Sequence, residues 1–220
     1  MAMADEGADR LGDGLAAIHL WIRRRSAIGP RSRRSQRFAA FGPGSIICFP
    51  PAALFGEQSI RVGSNVMIGP NVALSAGMAA DQSLISDAIV VIGDRCLIGR
   101  NCSIAGHLRI DIGDDVYFGP NVYVTDQNHS AADPHRPVGH QAEPERPVII
   151  GAGSWVGTNA VILPGVTIGR HAVIGAGAVV NHDVPDYAVA VGAPARVVSI
   201  MGEPTGSTRQ RYRIARDRRS

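Results

Sequence analysis

The chain has 220 residues, with 26 Gly, 14 Pro and only 5% aromatics. That profile excludes a helical bundle packed around large rings and suits tight turns carrying small or β-branched side chains. Its net charge of +3 is unevenly spread: eight Arg face four acids in 1–41, six face two in 203–220, and eight face 13 in between.

Residues 1–45 read as an Arg-rich, solvated and partly disordered extension. No signal-peptide pattern opens it, and "GLAAIHLWI" (Gly14–Ile22) is too short to span a bilayer. Arg-rich ends can touch anionic surfaces, so peripheral contact with an anionic membrane stays open. Aromatics do not interleave with these Arg residues as a nucleic-acid platform requires, and no nucleic-acid partner is expected. Cys48, Cys96 and Cys102 form no Cys-x-x-Cys pair. They read as free thiols in a reducing, cytoplasmic setting, and no metal site is expected.

From residue 62 an aliphatic residue recurs every six, usually followed by Gly: Val62, Ile68 and Leu74, then Ile92, Ile98 and Ile104, then Ile112, Phe118 and Val124. The longest run extends from Ile150 through Pro185. The fourth place of each unit holds Gly, Asn or Asp in 11 of 15 cases, residues that enter left-handed backbone conformations readily. A helix cannot keep period six in phase, and Gly in nearly every unit would weaken one. Short strands joined by turns, three units per coil, predict an all-β triangular prism with the first-place aliphatics inside. The prism domain is expected over 46–200, with loops at 77–91 and 130–147 and a basic tail at 201–220. Long loops inside a compact domain are usually functional, and the second follows directly on "VTDQNHS" (Val124–Ser130).

The segment "SWVGTNAVILPGVTIGRHAVIGAGAVVNHDVPDYAVAVGAPARVV" (Ser154–Val198) resembles the C-terminal coils of hexapeptide-repeat acyltransferases, which fold as a left-handed parallel β-helix. The likeness is strongest to galactoside, maltose and polysaccharide O-acetyltransferases and covers about 62–198. It implies a homotrimer with active sites between subunits, acetyl-CoA (coenzyme A) as co-substrate, and a carbohydrate or glycolipid acceptor.

The family's general base is a His five residues after an interior aliphatic, just before a long loop. Val124 to His129 has that spacing, within an Asp-x-Asn-His context formed by Asp126, Asn128 and His129. A neutral imidazole can take the proton of an attacking hydroxyl near neutral pH. The resemblance places Asp126, Asn128 and His107 on the acceptor side. It places Trp155 beside the acyl end of the donor, Thr158 and Ala176 along the pantetheine arm, and Asn181, His182 and Arg196 around the adenine and phosphates. Asn181 and His182 stand where relatives often carry Thr-Lys, which shifts phosphate contacts elsewhere, for instance to Arg170. Gly99 stands where sugar acetyltransferases of this type carry Asn, and the family's helical N-terminal cap is missing from residues 1–45. Asp126 and Asn128 are also good turn residues in their own right. Two further functions share this scaffold: a trimeric metal-dependent carbonic anhydrase, which would draw on His107, His129 and His135 or His140, and a non-catalytic trimeric scaffold.

Overall fold

A computed structural model describes residues 3–79 and 82–202. The basic segment 203–220, most of the expected C-terminal tail, lies outside the described residues.

Hexapeptide units stack into a left-handed parallel β-helix with three faces. The first face runs through Ala40–Phe41, Ile60–Val62, Val90–Ile92, Ile110–Ile112, Val148–Ile150 and Thr167–Ile168. The second runs from Ile46–Ile47 through Met67–Ile68, Leu97–Ile98, Tyr117–Phe118, Trp155–Val156 and Val173–Ile174 to Ala188–Val191. The third joins Ala53–Phe55, Ala73–Ala76, Ser103–Gly106, Tyr123–Thr125, Val161–Ile162 and Val179–Val180. Register is in phase throughout: Ile68 pairs with Ile98, Ile98 with Phe118, and Phe118 with Val156. The first-place aliphatics therefore form three buried columns. Each buried Val, Leu or Ile stabilises the prism by at most about 1.5–3 kcal/mol.

The corners explain the fourth place of the repeat. Twelve of the 15 fourth-place residues have positive φ, including Arg95 (57°) and His171 (52°). The exceptions, His107, Gln127 and Asp183, all lie where the third face turns into the first. That corner also carries both long loops.

Two features differ from the expectations. The prism starts before residue 46: Ala40–Phe41, Ile46–Ile47 and Ala53–Phe55 form a complete first coil, so residues 40–45, assigned above to the extension, are its first strand and corner. Its Ile47-to-Leu54 unit is seven residues long, which hides it from a count in sixes. Second, the N-terminal segment holds a helix, α1 (Met3–Ser26), ending in Arg23–Arg25. The arginines in its last turn complement the helix dipole, and Gly29–Pro30 follows its end. Residues 12–22 are all exposed, so α1 stands off the prism rather than capping it.

Candidate active site

The third-face strand Tyr123–Thr125 ends with Val124 pointing inward and fully buried. The next residue but one, Asp126, is also fully buried, although its side chain is polar. Its carboxylate accepts hydrogen bonds from the backbone amides of His107 (2.9 and 3.0 Å), Leu108 (2.8 Å) and Arg109 (2.7 Å). Its carbonyl accepts from the Arg146 N–H at 2.9 Å, where the loop returns to the prism. A buried carboxylate is tolerated when such donors replace its water. One residue thus ties the preceding corner to both ends of the loop. The expectation that Asp126 binds acceptor hydroxyls meets a side chain with no exposed surface and its oxygens already engaged; its place is in the corner's construction.

Residues 130–147 are more ordered than an irregular loop. His129 forms an antiparallel bridge with Ala142, the Ser130 N–H donates to the Gln141 carbonyl (2.8 Å), and the Glu143 N–H reaches the Asn128 carbonyl (3.4 Å). Gln141, itself buried, fastens the tip: its Nε2 donates to the Asp133 (2.9 Å) and Arg136 (2.8 Å) carbonyls, and its Oε1 accepts from the Asp133 N–H (3.0 Å). His129 and Asn128 are exposed on this hairpin. The Asn128 Oδ1 accepts the His129 N–H at 2.9 Å, so the amide braces the backbone that carries the imidazole. On the same corner, one coil below, the His107 Nδ1 lies 3.3 Å from the Glu145 carboxylate, with its side chain only 12% exposed. This is an ion pair whenever the imidazole is protonated. Glu145 and Gln141 were missed by the sequence reading, because neither occupies a repeat position.

The residues expected to hold the donor lie elsewhere. Trp155 projects from the second face, stacked in register above Tyr117 and 57% exposed. Thr158 and Ala176 occupy successive coils at the corner between the second and third faces, where the Gly177 N–H donates to the Thr158 carbonyl (2.8 Å). Among the described residues, nothing accepts the Thr158 or Ala176 N–H. At the opposite corner the equivalent amides of Ser64, Asp94 and Arg170 are taken by Asp94, Asp114 and Asp186 carboxylates. The Thr158–Ala176 corner thus offers free backbone donors suited to the amide carbonyls of a pantetheine arm.

Arg196 opens the final strand, Arg196–Ile200, beside Val191, and is exposed, with Nη1 donating to the Ala195 carbonyl at 2.7 Å. Asn181 and His182 are exposed at the His129 corner, two coils further on, with the His182 Nδ1 2.8 Å from the Asn181 Oδ1. Arg170 is engaged: its guanidinium binds Asp186 through Nε (3.1 Å) and Nη2 (2.8 Å) on the remaining corner, so it is not a spare phosphate ligand. One chain therefore gathers His107, Asp126, Asn128, His129, Asn181 and His182 along one corner. Thr158 and Ala176 lie on another, with the third face between them. Among the described residues, no three His, Cys, Asp or Glu side chains of one chain converge to hold a metal ion.

Residues 147–182 match the family described as bacterial transferase hexapeptide (six repeats), and residues 89–126 match the hexapeptide repeat of succinyl-transferase. Both matches fall on coils of the prism, on either side of the 130–147 loop. Over 101 residues the chain is 39% identical to galactoside O-acetyltransferase of Escherichia coli, covering 44% of this chain and 46% of that one. Over 88 residues it is 41% identical to galactoside O-acetyltransferase of Lactococcus lactis, covering 40% and 42%. The chain spans less than half the length of these two curated relatives. AntD, an N-acyltransferase from Bacillus cereus solved with dTDP and 3-hydroxybutyryl-CoA, superposes with a TM-score of 0.65 at 19% identity, covering 85% of this chain and 95% of that one, which shows the fold.

Proposed function

We propose that the chain is an acetyl-CoA-dependent O-acetyltransferase acting on a hydroxyl of a sugar, polysaccharide or glycolipid in the cytoplasm, with His129 as general base. One observation carries this reading: an exposed imidazole on a braced hairpin, rooted by the buried Asp126 carboxylate, on coils similar to those of galactoside O-acetyltransferases. Two acyltransferase relatives and the free amides at Thr158 and Ala176 support coenzyme A as the donor's carrier.

The reaction follows from a neutral imidazole. His129 takes the proton of the acceptor hydroxyl as its oxygen attacks the thioester carbonyl. The tetrahedral adduct collapses, breaking the carbon–sulfur bond, and the departing thiolate recovers the proton from the imidazolium. Acceptor ester and free thiol are the products, with no covalent acyl-enzyme. Because His129 and the Thr158–Ala176 corner lie apart in one chain, the working site is completed by a second copy, in a homotrimer with sites between subunits.

Steady-state thiol release with a panel of sugar acceptors tests this directly. His129→Ala should lower kcat by about 10²- to 10⁴-fold, the usual share of a general base, without changing the circular dichroism spectrum. Double-reciprocal lines should intersect rather than run parallel. Full turnover in the variant would sink the assignment of the base.

A further inference from the structure

We propose that the foot of the prism is a docking surface for an anionic lipid bilayer, formed by α1 and the clefts where it joins the first coil. On α1, Leu15, Ile18 and Ile22 recur at helical spacing on one side, flanked by Trp21, and these side chains are 41–64% exposed. Below them two clefts share Ala27 and Phe49. One, of ≈ 370 Å³, is lined by Arg25, Arg33, Arg34, Ser26 and Ser32. The other, of ≈ 320 Å³, is walled by Leu20, Ile46, Cys48 and Phe49, with Arg23 and Arg24 at its rim. Cationic and apolar surface therefore alternate within one patch.

Six arginines, at 23, 24, 25, 31, 33 and 34, crowd into twelve residues. Among the described residues, no carboxylate lies within ion-pair distance of any of them, whereas five of the nine arginines from Arg37 to Arg196 are paired: Arg37, Arg61, Arg95, Arg109 and Arg170. An amphipathic helix with aromatic and aliphatic residues on one side and arginines beside it lies in the plane of a lipid headgroup layer, where its charges meet anionic lipid. No described helix is long and apolar enough to cross a membrane, so the contact is peripheral. A second copy fits this patch less well: in an isologous contact the patch meets its own image, which sets one arginine cluster against another. The surface is independent of the proposed chemistry, because Trp155 sits four coils above Ile46, about 19 Å at the usual strand spacing.

Flotation of the full chain with vesicles tests the proposal. Vesicles of phosphatidylcholine containing about one third phosphatidylglycerol should carry the protein, pure phosphatidylcholine should not, and raised salt should release it. The triple variant Arg23→Glu, Arg24→Glu, Arg25→Glu should bind at least roughly 100-fold more weakly, since each arginine near the surface contributes about fivefold. In a Trp155→Phe background, Trp21 fluorescence should shift to the blue only with the anionic vesicles. The proposal is overturned if the triple variant floats like the parent, which assigns the attraction elsewhere. Millimolar inorganic phosphate releasing the protein at constant ionic strength would reveal a soluble-anion site and also overturn it. So would the triple variant changing oligomeric state while vesicle binding stays the same.

Discussion

At the scale of single residues, Asp126 is the most constrained group in the candidate site. Its three amide donors have no other partner, so Asp126→Asn turns a matching acceptor partly into a donor and leaves buried N–H groups unmet. We expect a loss of about 2–4 kcal/mol, read as a lowered urea midpoint at unchanged m. The same variant should lower kcat more than it raises the acceptor KM, because the hairpin bearing His129 loses its root. The spacing from Val124 singles out His129 in the sequence as a candidate base, and the structure exposes it on the hairpin. That spacing could not reveal the job of Asp126, since the amides it binds belong to the preceding coil, nearly twenty residues away. The cysteines give a second test. Burial pushes the Cys96 thiol up to about 11 and raises Cys102 as well. Since the thiolate is the nucleophile, a disulfide reagent at pH 8 should modify Cys48 quickly in the folded protein and the other two only after denaturant is added.

At the scale of elements, the Gly after each interior aliphatic is explained by the approach of the next coil. A Cβ on Gly119 would lie 2.7 Å from the Thr158 N and 2.9 Å from its Oγ1, too close for either backbone to keep its place. Gly119→Ala should cost about 1–3 kcal/mol and raise the KM for the acyl donor, because it displaces the Thr158 N–H. Gly14 behaves oppositely: nothing lies within 4 Å of its Cβ position, and it sits inside α1. Gly14→Ala should stabilise that helix by about 1 kcal/mol, seen as increased ellipticity at 222 nm. Period six exposed the prism because interior position, corner and close approach each leave a mark in every unit. The first coil was hidden by one extra residue. The helix was hidden by its composition: it ends in an arginine cluster, is interrupted by Gly12 and Gly14, and carries an apolar stripe that is short and confined to Leu15–Ile22.

At the scale of the whole molecule, the corner between the first and second faces is a ladder of charge. Asp94, Asp114 and Asp186 cap amides of neighbouring coils, Arg95 grips Asp115, and Arg170 grips Asp186. The hydrogen-bonded guanidinium of Arg95 holds the Asp115 carboxyl below its ordinary value of 3.8, and that of Arg170 does the same for Asp186. The folded state then binds fewer protons than the unfolded one. The stabilisation is complete above pH 3.8 and fades as pH falls through the depressed values. An Asp115→Asn, Asp186→Asn variant should melt below the parent at pH 7, with the gap closing below about pH 4 and narrowing at high salt.

Each end of the column meets the same hazard, an open row of strand N–H and C=O groups that a further coil could extend. At the foot, Ile28 exchanges both backbone hydrogen bonds with Ile47 in antiparallel sense. At the top, Arg196–Ile200 runs antiparallel to Ala188–Val191, while Gly192 and Ala195 take the last open groups of Val179. Reversed strands cannot continue a parallel stack, so these two short pieces act as terminators against fibre growth. Removing the upper one would leave a folded prism with a sticky end, prone to stacking head to tail into filaments.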